Sequence, residues 1–136
     1  MYIKSMGTRS RIVIRRTRFD IYLWQHWDGY LEGVGADLCA QMKQLLEKYT
    51  IEQLEEMMEN IKEGTEEFAT EKLCDMVEGK TNVSFDDCDD IQYAYVIDMK
   101  EKYVGVTWDG HDYLVVLPFE LIKLGHTFED IIKSIE

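Results

Sequence analysis

Between residues 10 and 26 apolar and polar positions alternate: Ile12 and Ile14 interleave with Arg11, Val13 and Arg15, then Phe19, Ile21 and Leu23 with Asp20, Tyr22 and Trp24. A period of two sends neighbouring side chains to opposite faces of a strand, so this segment predicts a β-hairpin. From Gly33 and Gly35 the period lengthens, and Leu38, Met42, Leu45, Leu46 and Tyr49 fall on one face of a helix. Thr50 with Gln53 predicts a capping box for a second helix carrying Leu54, Met57, Met58 and Ile61, with Gly64 as its stop. Thr65 then predicts the cap of a third, through Phe68, Ala69, Leu73, Met76 and Val77 to Gly79.

Residues 80–90 are polar and predict a loop. Beyond them Ile91, Tyr93, Tyr95 and Ile97 alternate with Gln92, Ala94 and Val96 as a strand, and 103–108 and 112–117 flank Asp109-Gly110, a tight-turn signal. Pro118 suits the first turn of a short helix ending near Gly125, and Thr127 with Asp130 starts a last amphipathic helix through Ile131, Ile132 and Ile135. The order ββ, ααα, βββ, αα predicts one α+β domain over residues 1–136. Its sheet has about five mostly antiparallel strands, the N-terminal hairpin joined to three C-terminal strands, with amphipathic helices packed on one face.

Composition supports a globular chain: 46% of the 136 residues are hydrophobic and 31% charged. The longest apolar run, Tyr113 to Phe119, falls well short of the roughly 20 residues of a membrane-spanning helix. The N-terminus lacks a secretory pattern, which predicts a cytoplasmic protein. Cys39, Cys74 and Cys88 are odd in number and lack CxxC spacing, so neither a disulfide framework nor a zinc site is expected. The net charge of -12 is unevenly spread. The first 18 residues hold all five arginines, Lys4 and no acid, giving +6 there and, by subtraction, -18 for the remainder. Such a field repels nucleic-acid backbones and favours basic partners, while the arginine segment retains the capacity to hold a small anion.

The densest chemistry lies in Gln25-His26-Trp27-Asp28-Gly29-Tyr30-Leu31-Glu32-Gly33-Val34-Gly35, between the second strand and the first helix. In one reading, Gly33 and Gly35 free backbone amides to face an anion at the helix start, Trp27 and Tyr30 stack on a ring, and Arg9, Arg11, His26 and Asp28 orient a nucleotide-like ligand. In the other, the glycines make a turn, the aromatics belong to the core and the arginines form structural ion pairs. His26 and Asp28 on a continuing strand would share a side as base and orienter of a small phosphate- or nucleotide-directed enzyme, but no nucleophile elbow, phosphate loop or metalloprotease motif accompanies them. Asp86-Asp87-Cys88-Asp89-Asp90 lacks the spacing of a calcium loop, and neither metal nor cofactor is expected. From residue 50 to 90 there are 14 acids against three lysines, and Glu55, Glu56 and Glu59 are candidates for contacting a basic protein.

Two N-terminal motifs, Met6-Gly7-Thr8-Arg9-Ser10 and His26-Trp27-Asp28-Gly29-Tyr30 with Glu32, Gly33 and Gly35, resemble a group of uncharacterised small proteins from bacteriophages and large DNA viruses. The resemblance covers roughly the first 45 residues and, more loosely, Tyr93-x-Tyr95; Leu31 departs from it, standing where such proteins often carry proline. It implies viral or prophage origin and marks Met1–Ser5 as a dispensable extension. Joined to the charge, it implies a non-enzymatic accessory protein, monomer or homodimer, acting in the host cytoplasm on a host component. The target would be a defence system, inhibited in the manner of an anti-CRISPR protein or by sequestering a nucleotide signal. A structural interaction domain without a ligand is the remaining alternative.

Overall fold

The structure, a computed structural model, describes residues 8–109 and 111–135. It is an α+β fold with a five-stranded mixed sheet in the order β2-β1-β3-β4-β5. The strands are β1 (Ser10–Arg15), β2 (Ile21–Gln25), β3 (Tyr93–Asp98), β4 (Tyr103–Trp108) and β5 (Val115–Pro118). Helices α1 (Ala36–Lys48), α2 (Ile51–Glu59), α3 (Leu73–Val77), α4 (Phe119–Lys123) and α5 (Phe128–Ile135) complete it. Every strand pair is antiparallel except β1 with β3, which are parallel because the whole helical region returns the chain to the end where β1 began. Residues Met1–Ser5, the expected extension, lie outside the described part.

The alternation read from the sequence sets the register. Leu23, Ile12, Tyr95, Val106 and Val115 form one row across all five strands, and Ile21, Ile14, Ile97, Val104 and Leu117 form the next. All ten are buried and face the helices. They meet Leu38, Met42 and Leu45 of α1, Leu73 and Met76 of α3, and Phe119, Ile122 and Phe128 from the C-terminal helices in one core. At about 25 cal/mol per Å² of apolar surface removed from water, these rows are the main stabilising term of the fold. The opposite row, Tyr22, Val13, Val96, Gly105 and Val116, is partly open, with Leu114 folded over Gly105.

Helix α2 has the expected capping box: the Gln53 amide donates to Thr50 Oγ1 at 3.1 Å and the Thr50 amide to Gln53 Oε1 at 2.9 Å. It stops at Glu59, five residues before Gly64. The expected third helix is also shorter; Thr65 caps nothing, and a 3-10 turn at Thr70–Lys72 leads into α3. Between them, segment 64–66 lies along segment 82–84, with Gly64 donating to Val83 at 2.8 Å and Ser84 to Glu66 at 2.8 Å. The Asp-Gly hairpin forms with a wider connection than a two-residue turn, since the last paired residues are Val106 and Val115. Gly110 lies outside the described residues. Pro118 precedes α4, Gly125 takes φ 93° after it, and the Thr127 amide donates to Asp130 at the start of α5.

Candidate functional site

Strand β2 ends at Gln25, whose side chain fixes the entry to the motif loop. Its Nε2 donates to the Trp27 carbonyl at 2.8 Å, and its Oε1 accepts from the Thr70 amide at 2.8 Å and hydroxyl at 3.0 Å. The chain then turns sharply, with Asp28 in the left-handed region at φ 58°. Gly29 donates to the Thr8 carbonyl at 3.0 Å, and its own carbonyl accepts from the buried Tyr95 hydroxyl at 2.8 Å. A π-helical turn, Leu31–Gly35, leads into α1. Such widened turns recur at functional sites because they re-aim side chains at a helix entrance.

This wiring explains the glycines. A Cβ at Gly33 would lie 2.2 Å from the Asp28 carbonyl oxygen, and one at Gly29 would lie 2.9 Å from that of Thr8. Gly35 sits against the Tyr95 ring and is buried outside the cleft described below. The amides of Gly33 and Gly35 donate to Tyr30 at 3.0 and 3.3 Å, and that of Val34 to Asp28 at 2.8 Å. These donors are spent on the loop's own carbonyls rather than turned towards an anion.

The two sequence motifs do meet, but through backbone, at Thr8 and Gly29, rather than through the Arg9 side chain. The Arg9 guanidinium pairs with Asp90 at 3.0 Å, and Arg11 pairs with Asp87 at 2.7 Å and donates to the Cys88 carbonyl at 3.3 Å. The polar loop thus neutralises both arginines on the other side of the sheet end. Strand β2 does not continue to Asp28, so the expected same-side placement of His26 and Asp28 is not formed. The His26 ring lies against Trp24 and Trp27, with centroids 5.4 and 4.6 Å away. The Asp28 carboxylate instead accepts from Tyr30 at 3.0 Å, which pushes the Tyr30 phenol above its ordinary value.

His26, Trp27, Asp28, Tyr30 and Gly33 do share a cleft of about 660 Å³. Its far wall, Glu67 to Lys72, was not anticipated from sequence. The cleft carries carboxylates from Asp28, Glu32, Asp37, Glu67 and Glu71. Lys72 lines it too but is engaged by the Glu67 carbonyl at 2.8 Å and Glu66 at 3.5 Å. Asp37 and Glu71 are first-turn acids of neighbouring helical segments, positions the helix dipole favours, and packing of α1 beside the 3-10 turn brings them together. Partial burial, then the charges of Glu71 and Asp28, raise the Asp37 carboxyl above its ordinary value. Trp27 stands on the rim, 48% exposed.

The three glutamates of α2 are unequal. Glu56 is exposed, Glu55 half-buried, and the Glu59 carboxylate accepts the Thr17 amide at 2.6 Å. Arg16 in turn donates to the Met58 and Glu59 carbonyls at 2.9 and 3.0 Å, so Glu59 and Arg16 clamp the β1–β2 turn to the end of α2. Among the described residues no acidic, histidine or cysteine cluster fits a metal ion, and no helix is long and apolar enough to cross a membrane. No protein-family model, curated protein or solved structure gives a significant match to the chain.

Proposed function

We propose that the chain is a non-enzymatic binding protein whose acidic cleft receives a basic segment of a partner protein. One observation carries this: among the described residues five carboxylates line the cleft, and the one lysine there is engaged by neighbouring groups. Partial burial first, and then the charges of Glu71 and Asp28, raise the Asp37 carboxyl, and a cationic ligand would relieve the repulsion. The exposed Trp27 offers an apolar and cation-binding rim of the sort enriched at interfaces. The resemblance of the N-terminal motifs to viral proteins supports a host protein as partner, with a component of host defence as the target. Capture of a nucleotide-like anion has less support, because Arg9 and Arg11 are paired with Asp90 and Asp87 and the motif-loop amides are internally bonded. Catalysis by His26 and Asp28 has less still, since no hydrogen bond or ion pair joins them.

The experiment is titration of the full chain with a peptide of alternating lysine and glycine, followed by Trp fluorescence at low and at physiological salt. Salt-sensitive binding that the double variant Glu67→Gln/Glu71→Gln weakens supports the reading. Absence of binding, together with a rise in melting temperature on adding any nucleotide, would replace it with anion capture.

A further inference from the structure

On the other side of the Tyr30–Glu32 stretch lies a second pocket, of about 410 Å³, lined by Tyr30, Glu32, Tyr93, Trp108 and Asp109 with Gln92 and Thr8. Tyr93 and Trp108 are direct cross-strand partners on β3 and β4, and their rings lie 6.1 Å apart at 31°. Each ring has a further aromatic neighbour. His111 stacks on Trp108 at 3.8 Å and 3°, with Tyr113 4.1 Å from His111, while Tyr95 stacks beside Tyr93 at 6.3 Å and 14°. The aromatic walls are therefore held in place before any ligand arrives, which lowers the ordering cost of binding.

Among the described residues, two exposed carboxylates, Glu32 and Asp109, join the lining, and Arg9, a nearby cation at β1's entry, is committed to Asp90. Aromatic faces beside acceptor-only groups select a cation that is both planar and a multiple donor. A guanidinium stacks on Trp or Tyr and gives a carboxylate two parallel N–H bonds; an ammonium does the second poorly and the first less well. We infer that this pocket receives an arginine side chain of the basic partner. The inference rests on the acidic-cleft reading above and deepens it: Tyr30 and Glu32 line both pockets, so one basic segment crossing that ridge places cations on either side.

The test compares two peptides of equal length and charge, alternating arginine–glycine and alternating lysine–glycine, binding the full chain by fluorescence anisotropy. Glu32 belongs to both sites, so Asp109→Asn probes the pocket alone and Glu71→Gln the cleft alone. The arginine peptide is expected to bind about fivefold tighter. That preference should vanish in Trp108→Leu and Asp109→Asn and persist in Glu71→Gln, which weakens both peptides alike. Equal affinities, both lowered by Glu71→Gln, overturn the arginine pocket and leave the cleft reading standing. Failure of both peptides to bind overturns both. Should Trp108→Leu not fold, the indole N–H resonance of Trp108 decides: at equal occupancy it moves further with the arginine peptide than with the lysine peptide, and an unmoved resonance or equal shifts overturn the inference.

Discussion

The Tyr95 hydroxyl donates to the Gly29 carbonyl at 2.8 Å, and that single buried bond ties the centre of the sheet to the motif loop. Tyr95 occupies the middle strand of the sheet and is 1% exposed, so its phenol has no access to water, and burial pushes it far above its ordinary value. Gly29 is buried as well, and its amide donates to the Thr8 carbonyl. Tyr95→Phe keeps the ring and removes the donor, leaving a buried carbonyl without its partner. The expected cost is about 1–3 kcal/mol, read as a lower urea midpoint with an unchanged slope.

Gly33→Ala strikes the same loop from the other side. Its Cβ would collide with the backbone of Asp28, not with a flexible side-chain tip, and Asp28 is itself in a left-handed conformation closed by the Val34 amide. A loss of about 2 kcal/mol or more is expected, with weakened peptide binding as the cleft wall shifts. An Ala variant of full stability and affinity would show that the loop rearranges freely.

How far the sequence foretold this structure depended on the range of the interactions involved. Period-two stretches such as Ile12 to Ile14, and caps such as Thr50 with Gln53, are local, and both appear where the residues implied, whereas Phe19, expected to alternate with Ile21 and Leu23, lies before β2 and is 73% exposed. Residues 60–69 misled because Ala69 and Leu73 fall at helical spacing, whereas Gly64 and Glu66 pair with Asn82, Val83 and Ser84, a partner segment that no local periodicity announces. The candidate site divided in the same way. The loop from His26 to Gly33 is contiguous and stood out by composition, but Glu67 and Glu71 come from a distant segment, held there by the bond of Gln25 to the Thr70 backbone and by packing of the 3-10 turn against α1. Arg9 was expected to orient one ligand together with Asp28 and instead meets Asp90, an acid 81 positions away. Charge in a sequence carries no address. Trp108 and Tyr93, the walls of the second pocket, become neighbours only through strand register.

Ser10 lies in the first motif, yet its hydroxyl is fully buried without a partner among the described residues, on the inner face beside Gly29. Removing an unsatisfied buried polar group relieves a desolvation cost. Ser10→Ala is therefore expected to be neutral or stabilising, by up to about 1 kcal/mol, by thermal or urea unfolding. A clear loss of stability would mean that the hydroxyl finds a partner in solution.

The cysteines differ in accessibility. Cys39 is buried among the α1 core residues, and burial pushes its thiol up to about 12, so almost none of it is thiolate at neutral pH. Cys74 is also raised, by burial first, and donates to the Gln41 carbonyl at 3.4 Å, leaving Cys88 in the loop as the first to react. Under native conditions a disulfide reagent should label Cys88 fastest and Cys39 only on unfolding, as mass spectrometry of labelled peptides would report.

Two carboxylates give stability opposite dependence on pH. Glu78 accepts from Lys48 at 2.7 Å and from the Tyr49 hydroxyl, with Lys80 at 3.4 Å, and these contacts lower it from its ordinary 4.5 to about 2. A carboxylate lowered by folding contributes stability that is fully present above its unfolded value and is lost as the folded chain protonates it, here between about 4.5 and 2. Asp37 is raised by folding, so it has the reverse effect: the folded state is favoured while Asp37 is protonated, and the advantage disappears as pH climbs past its ordinary value of 3.8. Melting temperature measured against pH should therefore separate the two. Glu78→Gln lowers it at neutral pH and converges on the wild type in acid. Asp37→Asn raises it at neutral pH, by removing a partly buried charge and its repulsion from Glu71 and Asp28, and loses that advantage in acid. The sign for Asp37 matters to function as well, because a basic peptide bound in the cleft should abolish the stabilising effect of Asp37→Asn; if the effect is the same with and without peptide, the peptide does not sit beside Asp37.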